Sequence, residues 1–209
     1  MKRLLLAPLL IAGLLSPIAA KSDGKIPDYV LTPYDRANYP SYFKKFGSRM
    51  KDIEKYRGIA AKKAASNKQC ALVKYAEVSR DKSTKNNLLF WVDCEKPSGG
   101  YPYKRFNFTE ADLNNPDSLV ISNSDRALTE TQSLDACEQL IKSKANYPST
   151  VKVNRFTATY KMFEHLGNTR TIMNFKSKNA FGLELKFTAY CTFRPGDLNG
   201  DLVVKERTD

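Results

Sequence analysis

The sequence predicts an α+β protein of two small modules, each a helix packed on an antiparallel sheet and stapled by one disulfide. Three observations carry this. The stretch "LELKFTAYCTF", residues 183–193, alternates strictly, with Leu183, Leu185, Phe187, Ala189, Cys191 and Phe193 on one face. That period of two belongs to a half-buried antiparallel strand. Two longer segments, 41–67 and 128–145, repeat apolar residues at three- and four-residue steps, as amphipathic helices do, and short strand-like runs follow each. The four cysteines divide two and two: Cys70 and Cys94 in the first half, Cys137 and Cys191 in the second.

Residues 1–20, "MKRLLLAPLLIAGLLSPIAA", place Lys2 and Arg3 before an apolar run and end in small residues. That layout predicts a cleaved signal peptide and a mature chain starting at Lys21, exported to the periplasm or the medium. The run from Leu4 to Leu15 is shorter than the ~20 residues that span a bilayer. No other run approaches that length, so no transmembrane segment is expected in the mature chain. Losing two basic and no acidic residues lowers the formal charge from +12 to +10, still strongly basic. Export puts the even set of cysteines in an oxidising compartment, where disulfides are the expectation. No C-x2-C pair occurs and no histidine lies near a cysteine, so neither a zinc site nor a cofactor is expected.

Residues 21–40 carry Pro27, Pro33 and Pro40 and read as an extended Pro/Tyr-rich arm, because proline disfavours helix at the residue before it. The first module, 41–125, opens with a helix whose stripe is Phe43, Phe46, Met50, Ile53, Ala60 and Ala64; Arg57 interrupts it and Gly58 weakens it. "CALVKYAEVS" and "NLLFWVDCE" then read as a β-hairpin, and a register that sets Val73 opposite Trp91 brings Cys70 to Cys94. "KRFNF" adds a third strand, and "TEADL" begins a helical turn capped by Thr109. The second module, 126–193, has a helix with Leu134, Cys137, Leu140, Ile141 and Lys144 on one face, ended by Pro148. A hairpin follows, "VKVNRFTATYKMF" and "TRTIMNFKSK" around the turn "EHLGN", and "NAFG" reverses the chain into the closing strand. Inward cysteines on helix and strand should meet as Cys137–Cys191. Residues 194–209 read as a flexible tail.

"ACEQLIKSKANYPST" and "FKSKNAFGLELKFTAYCTF", about residues 133–193, resemble a small extracytoplasmic bacterial domain of uncharacterised function. The matching positions are Cys137, Pro148, Ser149, Asn179, Phe181, Gly182 and Cys191. The resemblance implies a fold and a staple and no activity. The first half resembles no family.

No catalytic residue stands out. His165, the only histidine, falls in the turn "EHLGN" and reads as a surface residue. Glu54, Glu77, Asp93, Glu110, Glu138 and Glu184 offer carboxylates, but nothing in the sequence marks the facing pair that glycoside hydrolysis needs. Asp197, Asn199 and Asp201 are spaced like calcium ligands, yet Leu202 and Thr208 stand where the loop needs glycine and a carboxylate. "YPYKRFNF" sets Lys104 and Arg105 among aromatics, but export argues against nucleic acid and strands use aromatics for packing. The strongest surface signal lies in residues 41–68, nine basic against two acidic residues. Within it Lys44, Lys45, Arg49, Lys51 and Lys55 are the candidate contacts for an anionic envelope polymer, a lipid headgroup or an acidic protein. The function expected is that of an exported, non-enzymatic interaction or structural protein. The alternative is a small secreted hydrolase using paired carboxylates.

Overall fold

The structure, a computed structural model, describes residues 23–208; the signal peptide expected over residues 1–20 lies outside them. Helices pack on two antiparallel sheets, so the fold is α+β. Proline at the second half of "NYP" starts α1, Pro40–Phe46, where a missing N–H costs nothing. The expected single helix breaks at Gly47, whose φ of +53° lies in the region that side chains avoid. After a 3-10 turn the chain resumes as α2, Met50–Ser66. Gly58 stays helical, and Arg57, far from spoiling the stripe, is buried within it.

Strands β1 (Leu72–Val78), β2 (Leu89–Glu95) and β3 (Lys104–Thr109) form the first sheet in that order. One face, with Val73, Val78, Phe90, Val92, Phe106 and Phe108, packs on Ile53, Ala60, Ala61 and Ala64 of α2. The hairpin register differs from the sequence expectation: Val73 faces Cys94, while Trp91 faces Glu77 across an irregularity between Val73 and Tyr75. Placing the inward residues of both strands on α2 overrides the simple turn geometry. Thr109 caps α3, Glu110–Asn114, in a reciprocal box with Asp112.

Residues 21–40, expected as an extended arm, are corrected where they are described: 3-10 turns at Asp23–Lys25 and Asp28–Leu31 lead to a segment bound to the core. Val30 and Tyr34 are buried in the first core. Arg57 is the reason. Its guanidinium donates to the carbonyls of Val30, Thr32 and Ala76, and Tyr34 lies 4.0 Å from it, ring face on. An interior charge without partners is prohibitive, and here the N-terminal segment supplies them.

Helix α4, Glu130–Lys144, starts at a capping box of Thr129 and Gln132. It packs on the second sheet, β4 (Lys152–Phe163), β5 (Asn168–Lys178), β6 (Glu184–Phe193) and β7 (Asp201–Arg207), in sequence order. Its buried face is Ser133, Ala136, Cys137 and Ile141, rotated from the expected one. Leu134 and Leu140 sit at its margin. Burying Ser133 is made tolerable by its hydroxyl, 2.7 Å from that of Thr171 and 3.3 Å from that of Thr169. The alternating strand points inward as expected at Ala189, Cys191 and Phe193, but burial fades toward its start, where Leu183 is 61% exposed.

The tail expected over 194–209 is also corrected. Asp201–Arg207 pairs with β6, setting Leu202 opposite Cys191 and Val204 opposite Ala189; Leu202 packs on the second core while Val204 stays exposed. The disulfides are Cys70–Cys94 and Cys137–Cys191. No described helix is long and apolar enough to cross a membrane.

Candidate functional site

Outside the cores, charge organises two surfaces. The first is the basic helix. Of the nine basic residues of segment 41–68, four turn to the protein itself. Lys45 bonds the Arg80 carbonyl, Arg49 pairs with Asp52 and Glu110, Arg57 is buried, and Lys63 caps the carbonyls of Asp112 and Asn115. Among the sequence candidates Lys45 and Arg49 are therefore engaged internally, while Lys44, Lys51 and Lys55 are exposed. Lys51, Lys55 and Lys62 lie at steps of four and seven, which stack on one line of a helix. Both acids of α2 are already committed, Asp52 to Arg49 at 2.8 Å and Glu54 to Arg57 at 2.7 Å. Among the described residues Lys44, Lys51, Lys55 and Lys62 make no ion pair, and the Lys85 ammonium lies beside Gly47 at the head of the row.

The second surface is the seam between the sheets. The outer face of the first sheet presents Leu89, Trp91 and Asp93 from β2, with Asn107 opposite Trp91 and Arg105 opposite Asp93 on β3. Cross-strand register alone therefore joins Asp93 and Arg105, and the pair is bidentate, Nε to Oδ1 and Nη2 to Oδ2, both at 2.7 Å. The Arg105 guanidinium lies 4.1 Å from the Trp91 ring. The β4–β5 hairpin tip docks here: His165 Nε2 donates to Asp93 Oδ2 at 3.0 Å, and Glu164 pairs with Lys96 at 3.3 Å. His165, expected as a surface residue of an exposed turn, is thus half-buried and bonded, because the turn packs against the other sheet. Gly167 makes the approach possible; a Cβ there would lie 2.1 Å from the Asn123 carbonyl oxygen.

Beside the tip a cleft of about 460 Å³ opens. Leu89, Trp91, Leu166 and Pro195 give it apolar walls, and Lys82, Arg105, Arg126 and Arg194 bring cations from four places in the chain. Asp197 is the one carboxylate on its lining, and its Oδ1 already accepts the Asn199 N–H at 2.8 Å. A roomier, apolar hollow of about 510 Å³ lies between the end of α4 and β6–β7, without a converging set of charges.

All six carboxylates singled out in the sequence are paired with bases. Glu54 and Glu77 converge on Arg57, Asp93 on Arg105, Glu110 on Arg49, Glu138 on Lys142 and Arg155, and Glu184 on Lys176 and Lys152. Burial, more than the neighbouring Glu54 charge, pushes Glu77 above the usual carboxylate range, although the Tyr34 hydroxyl and Arg57 pull the other way. Burial first, and then Glu77, holds the Tyr34 phenol protonated. Arg57 stands at both carboxylates, which makes Glu54 and Glu77 a structural clasp and not an acid and base flanking a substrate. No described cluster of His, Cys, Asp or Glu would hold a metal. Asp197 lies on the cleft and Asp201 begins β7, so the calcium-like spacing is spent on a turn and a strand. In "YPYKRFNF", Phe106 and Phe108 are core, Lys104 bonds Ser124 at 2.7 Å, and Arg105 serves the seam.

The chain matches no protein-family model, no curated protein and no solved structure.

Proposed function

We propose that the protein is an exported, non-enzymatic interaction protein of two helix-on-sheet modules, each with its own disulfide, which docks on an anionic polymer of the cell envelope through the lysines of α2. The leader-like start, the paired cysteines and the resemblance of residues 133–193 to extracytoplasmic domains support export. One observation carries the docking: the acids of α2 are consumed by Arg49 and Arg57, so Lys51, Lys55 and Lys62 face outward with no compensating charge among the described residues. A local field of this kind attracts a polyanion and is screened within about 8 Å at physiological ionic strength. The complete pairing of the six carboxylates weighs against the hydrolase alternative.

The test uses heparin as the polyanion and the mature chain with Lys51→Gln, Lys55→Gln and Lys62→Gln. These side chains are off the core, so the fold should persist, checked by circular dichroism. The parent should be retained on immobilised heparin at low salt and the variant should elute early. Co-elution of variant and parent refutes the docking role; retention of the parent but not the variant on anionic vesicles, with neither held on heparin, moves the ligand from polymer to lipid.

A further inference from the structure

We infer that the cleft between the sheets is a separate binding site for a small phosphorylated sugar. The inference does not rest on the lysine row: none of the cleft's cations belongs to α2. Lys82 comes from the β1–β2 loop, Arg105 from β3, Arg126 from a 3-10 turn and Arg194 from the residue after β6. Arg105 is neutralised by Asp93, but that bond uses only Nε and Nη2, leaving the opposite edge of the fork. Lys82 and Arg194 make no ion pair among the described residues, and Arg126 reaches only the Pro195 carbonyl, at 3.5 Å. Against these stands Asp197 alone, with one oxygen already bonded. Cations arriving from separate directions suit a tetrahedral dianion with oxygens on all sides. A planar carboxylate is satisfied by a single fork.

The rest of the lining describes the body attached to that anion. Asn107 Nδ2 donates to Asn123 Oδ1 at 3.1 Å. The bond uses the donor of one amide and the acceptor of the other, leaving an oxygen on Asn107 and an NH2 on Asn123. A hydroxyl, donor and acceptor at once, meets both. Asn123 is 3% exposed, held by its own N–H to the Arg105 carbonyl, so the amide pair is fixed in place. Asn168 and Ser79 add polar contacts, while Leu89 and Leu166 offer apolar surface to a ring. A volume of about 460 Å³ falls in the range of small-ligand pockets, about 300–1,000 Å³.

The experiment is calorimetric titration of the mature protein at low salt with glucose 6-phosphate, glucose, inorganic phosphate and glucuronate. Glucose 6-phosphate should bind, and glucose and phosphate should each bind at least about 10-fold more weakly, since each lacks one set of contacts. Arg126→Gln with Arg194→Gln should weaken glucose 6-phosphate by about 10-fold or more; the variant's fold is verified by its unfolding midpoint. The α2 triple variant should bind it like the parent, which separates this site from polymer docking. Equal binding of phosphate and glucose 6-phosphate, tighter binding of glucuronate than of glucose 6-phosphate, or no effect of the double arginine variant overturns the assignment.

Discussion

Replacing Arg57 by Met keeps most of the side chain's volume and removes its charge and donors. Arg57 is 2% exposed, and its guanidinium donates at 2.9 Å to Ala76, 3.0 Å to Val30, 3.2 Å to Thr32 and 2.7 Å to Glu54. Truncating one partner of a buried pair costs about 3–5 kcal/mol, chiefly because the other charge is stranded. Glu54 and Glu77 keep some access to water, their side chains being 30% and 25% exposed, which holds the charge penalty to the lower end of that range. The three carbonyls add about 1 kcal/mol each where they stay dry, so a total of about 3–6 kcal/mol follows. For a chain of this size the midpoint of thermal unfolding should fall on the order of 10 °C. Urea unfolding followed by the fluorescence of Trp91, the only tryptophan, measures the loss. Hydrogen exchange locates it, with protection lost first in residues 28–35, because they supply two of the three carbonyls and the Tyr34 ring. A loss below about 1 kcal/mol with unchanged exchange there would show that the N-terminal segment is held by something other than Arg57.

Further outcomes follow from the same contacts. Burial raises the Glu77 pKa above its ordinary 4.5; the folded state then favours the protonated form, a contribution present below pH 4.5 and lost as pH rises through the raised value. Glu77→Gln should therefore gain on the parent in urea midpoint at pH 7.5 relative to pH 4, and a gain larger at pH 4 contradicts this. Gly167→Ala faces both a φ of +67° and the Asn123 carbonyl at 2.1 Å; it should cost about 2 kcal/mol or more and move the His165 imidazole resonance, and an unmoved resonance would mean the hairpin tip does not dock. Removing Cys137–Cys191, with a separation of 54, should cost about 4 kcal/mol, and removing Cys70–Cys94, with a separation of 24, about 3.5 kcal/mol, on loop entropy; paired-serine variants in urea test that order.

What the sequence reveals and hides divides along local and tertiary causes. Alternation around Cys191, the helical stripe of α2 and the cap at Thr109 are short-range patterns, and they report the α+β class and the strands directly. The N-terminal segment misled because prolines speak only of backbone, whereas Arg57, 27 residues beyond Val30, decides where Val30 and Tyr34 go. The C-terminal strand misled because turn formers from Pro195 to Gly200 precede only a brief apolar run, Leu202 to Val204, whose strand pairing depends on β6 beside it. The lysine row was partly legible, since clustering in sequence marks the helix but pairing with distant Glu110 removes Arg49 from it. The cleft left no trace in composition: Lys82, Arg105, Arg126 and Arg194 are scattered along the chain, and only the docking of the hairpin tip brings them together.

The most direct test of the docking claim is the salt dependence of heparin affinity for the parent and the Lys51, Lys55, Lys62 triple glutamine variant. Each phosphate-like contact contributes about 0.7–0.9 to the slope of log K against log salt on a polyanion, so the variant's slope should be shallower by about 2. An identical slope in both proteins would place the polyanion elsewhere and contradict the role assigned to α2.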